Sequence, residues 1–175
     1  LLQEGWKPER DDFLWEAQGL FERFPDAGMV GGWLASANGS VVDGPLVLGF
    51  EGGCGCPDEG RPVVDPGYFT QMRKQRSVSA ISSRFAVLRT TFLLEAFESG
   101  GFQDVRVADL GPWLGHFALR RKERILFSPF LRCAAAGGGA PGAASPLRVA
   151  DPDNRYYPLK FGLTRATAYH LVRED

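Results

Sequence analysis

At 175 residues, with 44% hydrophobic and 12% aromatic content, the chain has the material for one domain with a real core. Twenty Lys and Arg against twenty-one Asp and Glu leave a net charge of −1; this excludes a protein built to coat nucleic acid, which needs surplus cations to displace counterions. No stretch approaches the ~20 continuous apolar residues of a membrane-spanning helix.

The first element read in chain order is a helix in "DDFLWEAQGLFERFPDAGMVGG". Asp11 or Asp12 can cap it, and Phe13, Leu14, Ala17, Leu20, Phe21 and Phe24 recur at helical spacing until Pro25 stops it. "AGMVGG" follows as a short buried strand. "WLASANGSVVDGP" reads as a hairpin, because Asn38-Gly39 suits a turn that needs positive φ. Asn38-Gly39-Ser40 is also a glycosylation sequon, but the turn accounts for these residues by itself. Residues 49–77 are rich in Gly and Pro and predict a long irregular loop of functional type. "SVSAISSRFAVLR" predicts a central strand with Ile81, Phe85 and Val87 on one side. "RTTFLLEAFESGG" predicts a helix capped by Thr90 or Thr91 and stopped by Gly100 and Gly101. "GPWLGHFALRRKE" is a further helix with Pro112 in its first turn, and "RILFSPF" a returning strand. Residues 134–146 read as a flexible low-complexity loop, and "DPDNRYYPLKFGLTRATAYHLV" as a tail with a last short element. Helices alternating with apolar strands predict an α/β fold, a mixed β-sheet with flanking helices.

Few residues here have chemistry-bearing spacing. Cys54 and Cys56 form a Cys-x-Cys and Cys133 stands alone, an odd total that argues against a disulfide framework or a closed zinc site. Reduced thiols and an N-terminus without a signal-peptide pattern predict a cytoplasmic setting. "LLQEGWKPER" does not begin with Met and reads as the start of a piece cut from a longer chain. The basic runs Met72–Arg76 and Leu119–Arg124 read as solvated faces. Asp109 is the conspicuous acid, isolated among apolar and basic residues shortly before Pro112. It is either a helix N-cap or a carboxylate presented by a helix start, and the two roles are compatible.

The ordered series of pieces resembles the second half of a family 2 glycosyltransferase of the GT-A fold. "FERFPDAGMVGG" is similar to that family's helix-then-strand run. "ANGSVVDGP" resembles its hairpin, "SVSAISSRFAVLRTTFLLEAFESGGF" its strand, helix and Gly-Gly-Phe turn, and "RRKERILFSPF" the strand after its catalytic helix. The resemblance implies one glycosyltransferase-like domain over residues 1–175 that lacks the Rossmann-like nucleotide-binding half. It implies transfer of a sugar from a nucleotide-sugar to a glycan or other acceptor by an inverting mechanism. A divalent metal, Mn²⁺ or Mg²⁺, would neutralise the diphosphate, since hard cations take oxygen ligands.

Carried onto this chain, Glu4 stands where the family's Asp-x-Asp ends and is the candidate metal ligand. Gly100, Gly101, Phe102 and Trp113 would line the substrate site, and Arg155, Tyr156 and Tyr157 would close over the diphosphate, the Arg fork matching phosphate oxygens. Read without a gap, the acidic positions fall on Gly111 and Trp113. With two extra residues in the helix, "ADLGPWL" lies over Glu-Asp-x-Asp-Leu-Trp-Leu, so that Asp109 takes the general-base position and Ala108 that of the Glu. The family's His after the last strand is replaced by Cys133 and alanines. Asp43 and Glu51 border the Gly-rich loop and would either face an acceptor or serve as turn residues; Trp33 and Trp113 would stack on a sugar or fill the core; His116 reads as packed or solvent-facing. A catalytically inactive glycosyltransferase-like scaffold or glycan-binding module is the second reading, and an unrelated α/β binding domain the third.

Overall fold

The computed structural model describes residues 1–50, 53–100, 105 and 109–136. Its spine is a parallel pair of long strands, β2 (Ala27–Ala35) and β9 (Arg124–Ala135). Short antiparallel strands complete the sheet on both sides. β8 (Ala86–Leu88) and β3 (Val41–Asp43) lie end to end along β2, while β6 (Arg76–Val78) and β1 (Trp6–Pro8) do the same along β9. A separate three-stranded sheet has the order β5 (Gly53–Gly55), β4 (Pro45–Phe50), β7 (Ala80–Ile81). The fold is therefore mixed α/β, with flanking helices α1 (Phe13–Arg23), α2 (Thr90–Glu98) and α3 (Leu110–Arg121).

The two faces of the spine follow from the period of 2 along a strand. Val30 and Leu34 join Ala17 and Leu20 of α1, together with Phe85, Leu126 and Leu131. Met29 and Trp33 face the other way and join Phe92 of α2, Leu114 and Ala118 of α3, and the small sheet. Every residue of β2 is buried, as expected of a strand covered on both faces. Gly32 is obligatory: a Cβ there would lie 1.8 Å from the Leu131 carbonyl oxygen. Opposite it β9 bulges, with Gly31 paired to Phe127 and Trp33 to Arg132, and Pro129 falls inside the bulge where no ladder amide is required.

Several local expectations change. α1 spans the anticipated residues, but Leu14 is exposed, and Asp12 at the cap makes no capping bond because its carboxylate is held by Arg10 at 2.7 Å. The strand after the first helix is longer than "AGMVGG", taking in Trp33, Leu34 and Ala35. Gly39 adopts the expected positive φ of 79° in the hairpin turn. The central strand expected over Ser77–Arg89 is instead three short ones that pair with β9, β4 and β2 in turn. Ile81 consequently packs on the α3 side, whereas Phe85 and Val87 pack on the α1 side. Residues 49–77 hold more order than anticipated: the end of β4, β5, and a 3-10 turn over Tyr68–Arg73. Arg89, not a threonine, stands at the N-cap position of α2 without a side-chain capping bond, its guanidinium donating instead to the Ala27 and Phe21 carbonyls, and Gly100 ends the helix in the left-handed region at φ 73°. β9 runs on through Ala134 and Ala135, the first two residues of the stretch read as low-complexity; 137–146 lie outside the described residues.

Candidate functional site

The segment from Ile81 to Arg84 is the junction at which Asp43, the turn carrying Glu4 and the first turn of α3 meet. Ser82 donates its hydroxyl to Asp43 Oδ2 at 2.6 Å, and its amide to the Gly44 carbonyl at 3.0 Å. The Gly44 amide donates to Asp43 Oδ1 at 2.9 Å, and Arg84 Nε stands 3.9 Å from Asp43 Oδ2. On the other side, the Gln3 amide donates to the Arg84 carbonyl at 2.8 Å, and Leu2 bridges Phe85, so the turn carrying Glu4 lies against the same segment. The first turn of α3 rests on it as well, because Gly111 comes so close that a Cβ would lie 2.3 Å from the Ile81 oxygen and 3.0 Å from the Ser83 nitrogen.

Asp109 occupies the N-cap position of α3, half-buried, with φ −92° and ψ −4° and no side-chain capping bond. An αR backbone there differs from the extended conformation in which a cap side chain folds back over the orphan amides. The cap reading therefore fits its position and not its bonding. Asp109 and Asp43 both act on the Cys54 thiol, whose pKa is raised by burial first and by these two carboxylates after it. Asp43 is itself buried, and its carboxyl is held above the ordinary value by desolvation, against the pull of Ser82, the Gly44 amide and Arg84. Glu59 is raised in the same way, by burial and then by Asp43, with Arg84 opposing.

The other expected residues divide. Glu4 is exposed on its turn. Gly100 is exposed at the end of α2. Trp113 is half-buried and stacks on Phe117 with centroids 5.9 Å apart and planes 10° from parallel, packed against the core. Trp33 is wholly buried, edge-on to Phe127, which is the core role and not sugar stacking. His116 is half-buried, its pKa lowered by desolvation and by neighbouring Arg120. Gly101, Phe102, Ala108, Glu51, Arg155, Tyr156 and Tyr157 lie outside the described residues. Among the described residues no three of His, Cys, Asp or Glu come together as a metal-holding group. Asp43 is already engaged by its hydrogen bonds with Ser82 and the Gly44 amide.

A cleft of about 310 Å³ opens elsewhere, between residues 45–47, 76–79 and the second half of α3, and among the described residues none of the expected site residues lines it. Ser82 and Arg84 were not anticipated, and Asp43, expected to border the loop and face an acceptor, is instead buried with its oxygens bonded to Ser82 and the Gly44 amide. The signal for Asp43 was there, as an acid directly after two apolar residues and before the turn-forming Gly-Pro of "VVDGP". Among the described residues no helix is long and apolar enough to cross a membrane. Comparison with protein-family models, curated proteins and solved structures finds no match.

Proposed function

We propose that this chain is part of a GT-A-type glycosyltransferase, in which Asp109 is the general base that deprotonates an acceptor hydroxyl for inverting transfer from a nucleotide-sugar. One observation carries the reading: Asp109 stands half-buried at the head of α3, whose first turn rests on the segment that also bonds Asp43 and the Glu4 turn. Removing a proton from an alcohol requires a carboxylate held within hydrogen-bond reach on a rigid support, and a helix start seated on a buried, hydrogen-bonded segment supplies one. Mn²⁺ or Mg²⁺ would rest on Glu4 and the donor's own phosphates, since a single carboxylate binds such ions only with help from substrate oxygens.

The glycosyltransferase-like scaffold or glycan-binding module is kept as a second reading, and Gly111 favours it. In both registers of the family resemblance an acid belongs at Gly111, yet a side chain there meets backbone atoms at 2.3 Å and 3.0 Å. Close packing of α3 has taken the place of that acid. The experiment that separates the two is release of nucleoside diphosphate from a donor panel with Mn²⁺ or Mg²⁺, using the full-length protein. The first reading expects release that Asp109→Asn reduces by roughly 10²–10⁴-fold. Turnover unchanged in that variant removes Asp109 from the mechanism, and absence of nucleotide-sugar binding in calorimetry selects the scaffold.

A further inference from the structure

We propose that Asp43 is the positioning residue of the Asp109 site: by holding Ser82 it fixes the 81–84 segment on which the first turn of α3 is seated, and so sets where the Asp109 carboxylate stands. The inference rests on the reading of Asp109 as the base, but its structural content can be tested separately.

The connection runs through contacts that leave no slack. Asp43 accepts from Ser82 and from the Gly44 amide, so its two oxygens tie the start of β4 to the middle of the segment. The Ser82 amide bonds the Gly44 carbonyl at 3.0 Å, and the Arg84 amide bonds back to the Ser82 hydroxyl at 3.4 Å. Both Asp43 and Ser82 are buried, so these bonds are shielded from competition by water. From the segment to α3 the contact is backbone against backbone at Gly111, with no side chain between to absorb a shift. Asp109 lies two residues before Gly111, and a displacement of 81–83 is handed to it directly. An apolar residue would fill the space at position 43 at lower desolvation cost. What it could not do is receive two donors from different segments.

The groups facing Asp43 from packed elements are Ser82 and Arg84 on the segment, Cys54 in β5, Cys56 directly after it, and Glu59 on the turn that follows. Arg84 is the cation among them, and it stands too far from Asp43 for a hydrogen bond. The fastening is therefore done by Ser82 and the Gly44 amide, both neutral donors.

The test compares Asp43→Ala, Asp43→Asn and Ser82→Ala by amide hydrogen exchange on the full chain, read at residues 81–84, at 113–116, and in β2 and β9. Residues 113–116 are chosen because they are the first amides of α3 with a bond inside the helix. The expected result is that Asp43→Ala and Ser82→Ala lose protection roughly tenfold or more at both 81–84 and 113–116, while β2 and β9 keep theirs. Asp43→Asn, which retains an acceptor for the Gly44 amide and a polar partner for Ser82, recovers most of that protection. Loosening at 81–84 with 113–116 unchanged overturns the proposal, and so does an equal loss throughout β2 and β9, which marks Asp43 as a general stabiliser only. Should Asp43→Ala not fold, Ser82→Ala decides the question with the carboxyl intact. In the donor assay, Ser82→Ala is expected to lower kcat roughly tenfold while KM for the donor stays within about twofold, as misplacement of a catalytic group does. A wild-type protein that releases no nucleoside diphosphate removes Asp109 as base and leaves the exchange result to decide whether Asp43 positions it.

Discussion

Gly111 and Gly19 are both helical glycines, and the same substitution to Ala is expected to move stability in opposite directions. At Gly19, on the exposed side of α1, an added Cβ meets nothing within 4 Å. The helix then gains the usual advantage of Ala over Gly, about 0.5–1 kcal/mol. At Gly111 the added Cβ lies 2.3 Å from the Ile81 oxygen, where ordinary contact begins at 3.4 Å, so α3 must retreat by about 1 Å. Its neighbours are backbone atoms and cannot rotate aside. Overpacking of this kind costs about 1–3 kcal/mol and the helical advantage of Ala recovers about 0.5–1 kcal/mol of it, leaving a net loss centred on about 1 kcal/mol and reaching about 2.5 kcal/mol. Urea titrations followed by circular dichroism measure both variants, and the melting temperature of Gly111→Ala should fall by about 2–8 °C. A Gly111→Ala protein as stable as the wild type would refute the close seating of α3 on the 81–84 segment, and with it the route by which Asp43 positions Asp109.

Two further outcomes follow from the buried titratable groups. The carboxyl of Asp43 has a folded pKa above its unfolded one, so its contribution is full below the unfolded value of about 3.9 and is lost as pH rises through the folded value. The stability of Asp43→Asn relative to wild type, from urea titrations at several pH values, should therefore climb as pH rises above the unfolded value; a flat difference would show that the carboxyl is not desolvated. Burial also pushes the Cys54 and Cys56 thiols far up and Cys133 to about 12. A thiol-specific disulfide reagent at about pH 8 should label none of the three within minutes in the native chain and all three in urea, and rapid native labelling of Cys54 would contradict its burial.

How much was legible in the sequence depended on how local the deciding interaction was. α1 could be read because its apolar spacing and Pro25 are contained in one short window, and the Asn38-Gly39 turn because its backbone conformation is a property of those two residues. The Ser77–Arg89 stretch was misread as one strand for the opposite reason. Its alternation is real, but which partner each apolar pair meets is set by β9, β4 and β2, which lie far away in the chain. Leu14 has the spacing of a core residue and ends exposed, because the sheet beneath α1 reaches Ala17 and Leu20 without covering it.

The same division holds for the candidate site. Sequence alone marked Asp109 as an isolated acid at a helix start, and it supplied the near-neutral charge, the odd count of three cysteines and the α/β class, all properties carried by composition or short-range pattern. Only the tertiary structure brought Asp43, Ser82, Arg84 and the Glu4 turn to the residues under α3. Those contacts join positions far apart in the chain, and no periodicity within a single segment encodes them. Tertiary structure also decided that position 111 is glycine for want of space, since the obstruction there is the backbone of another segment.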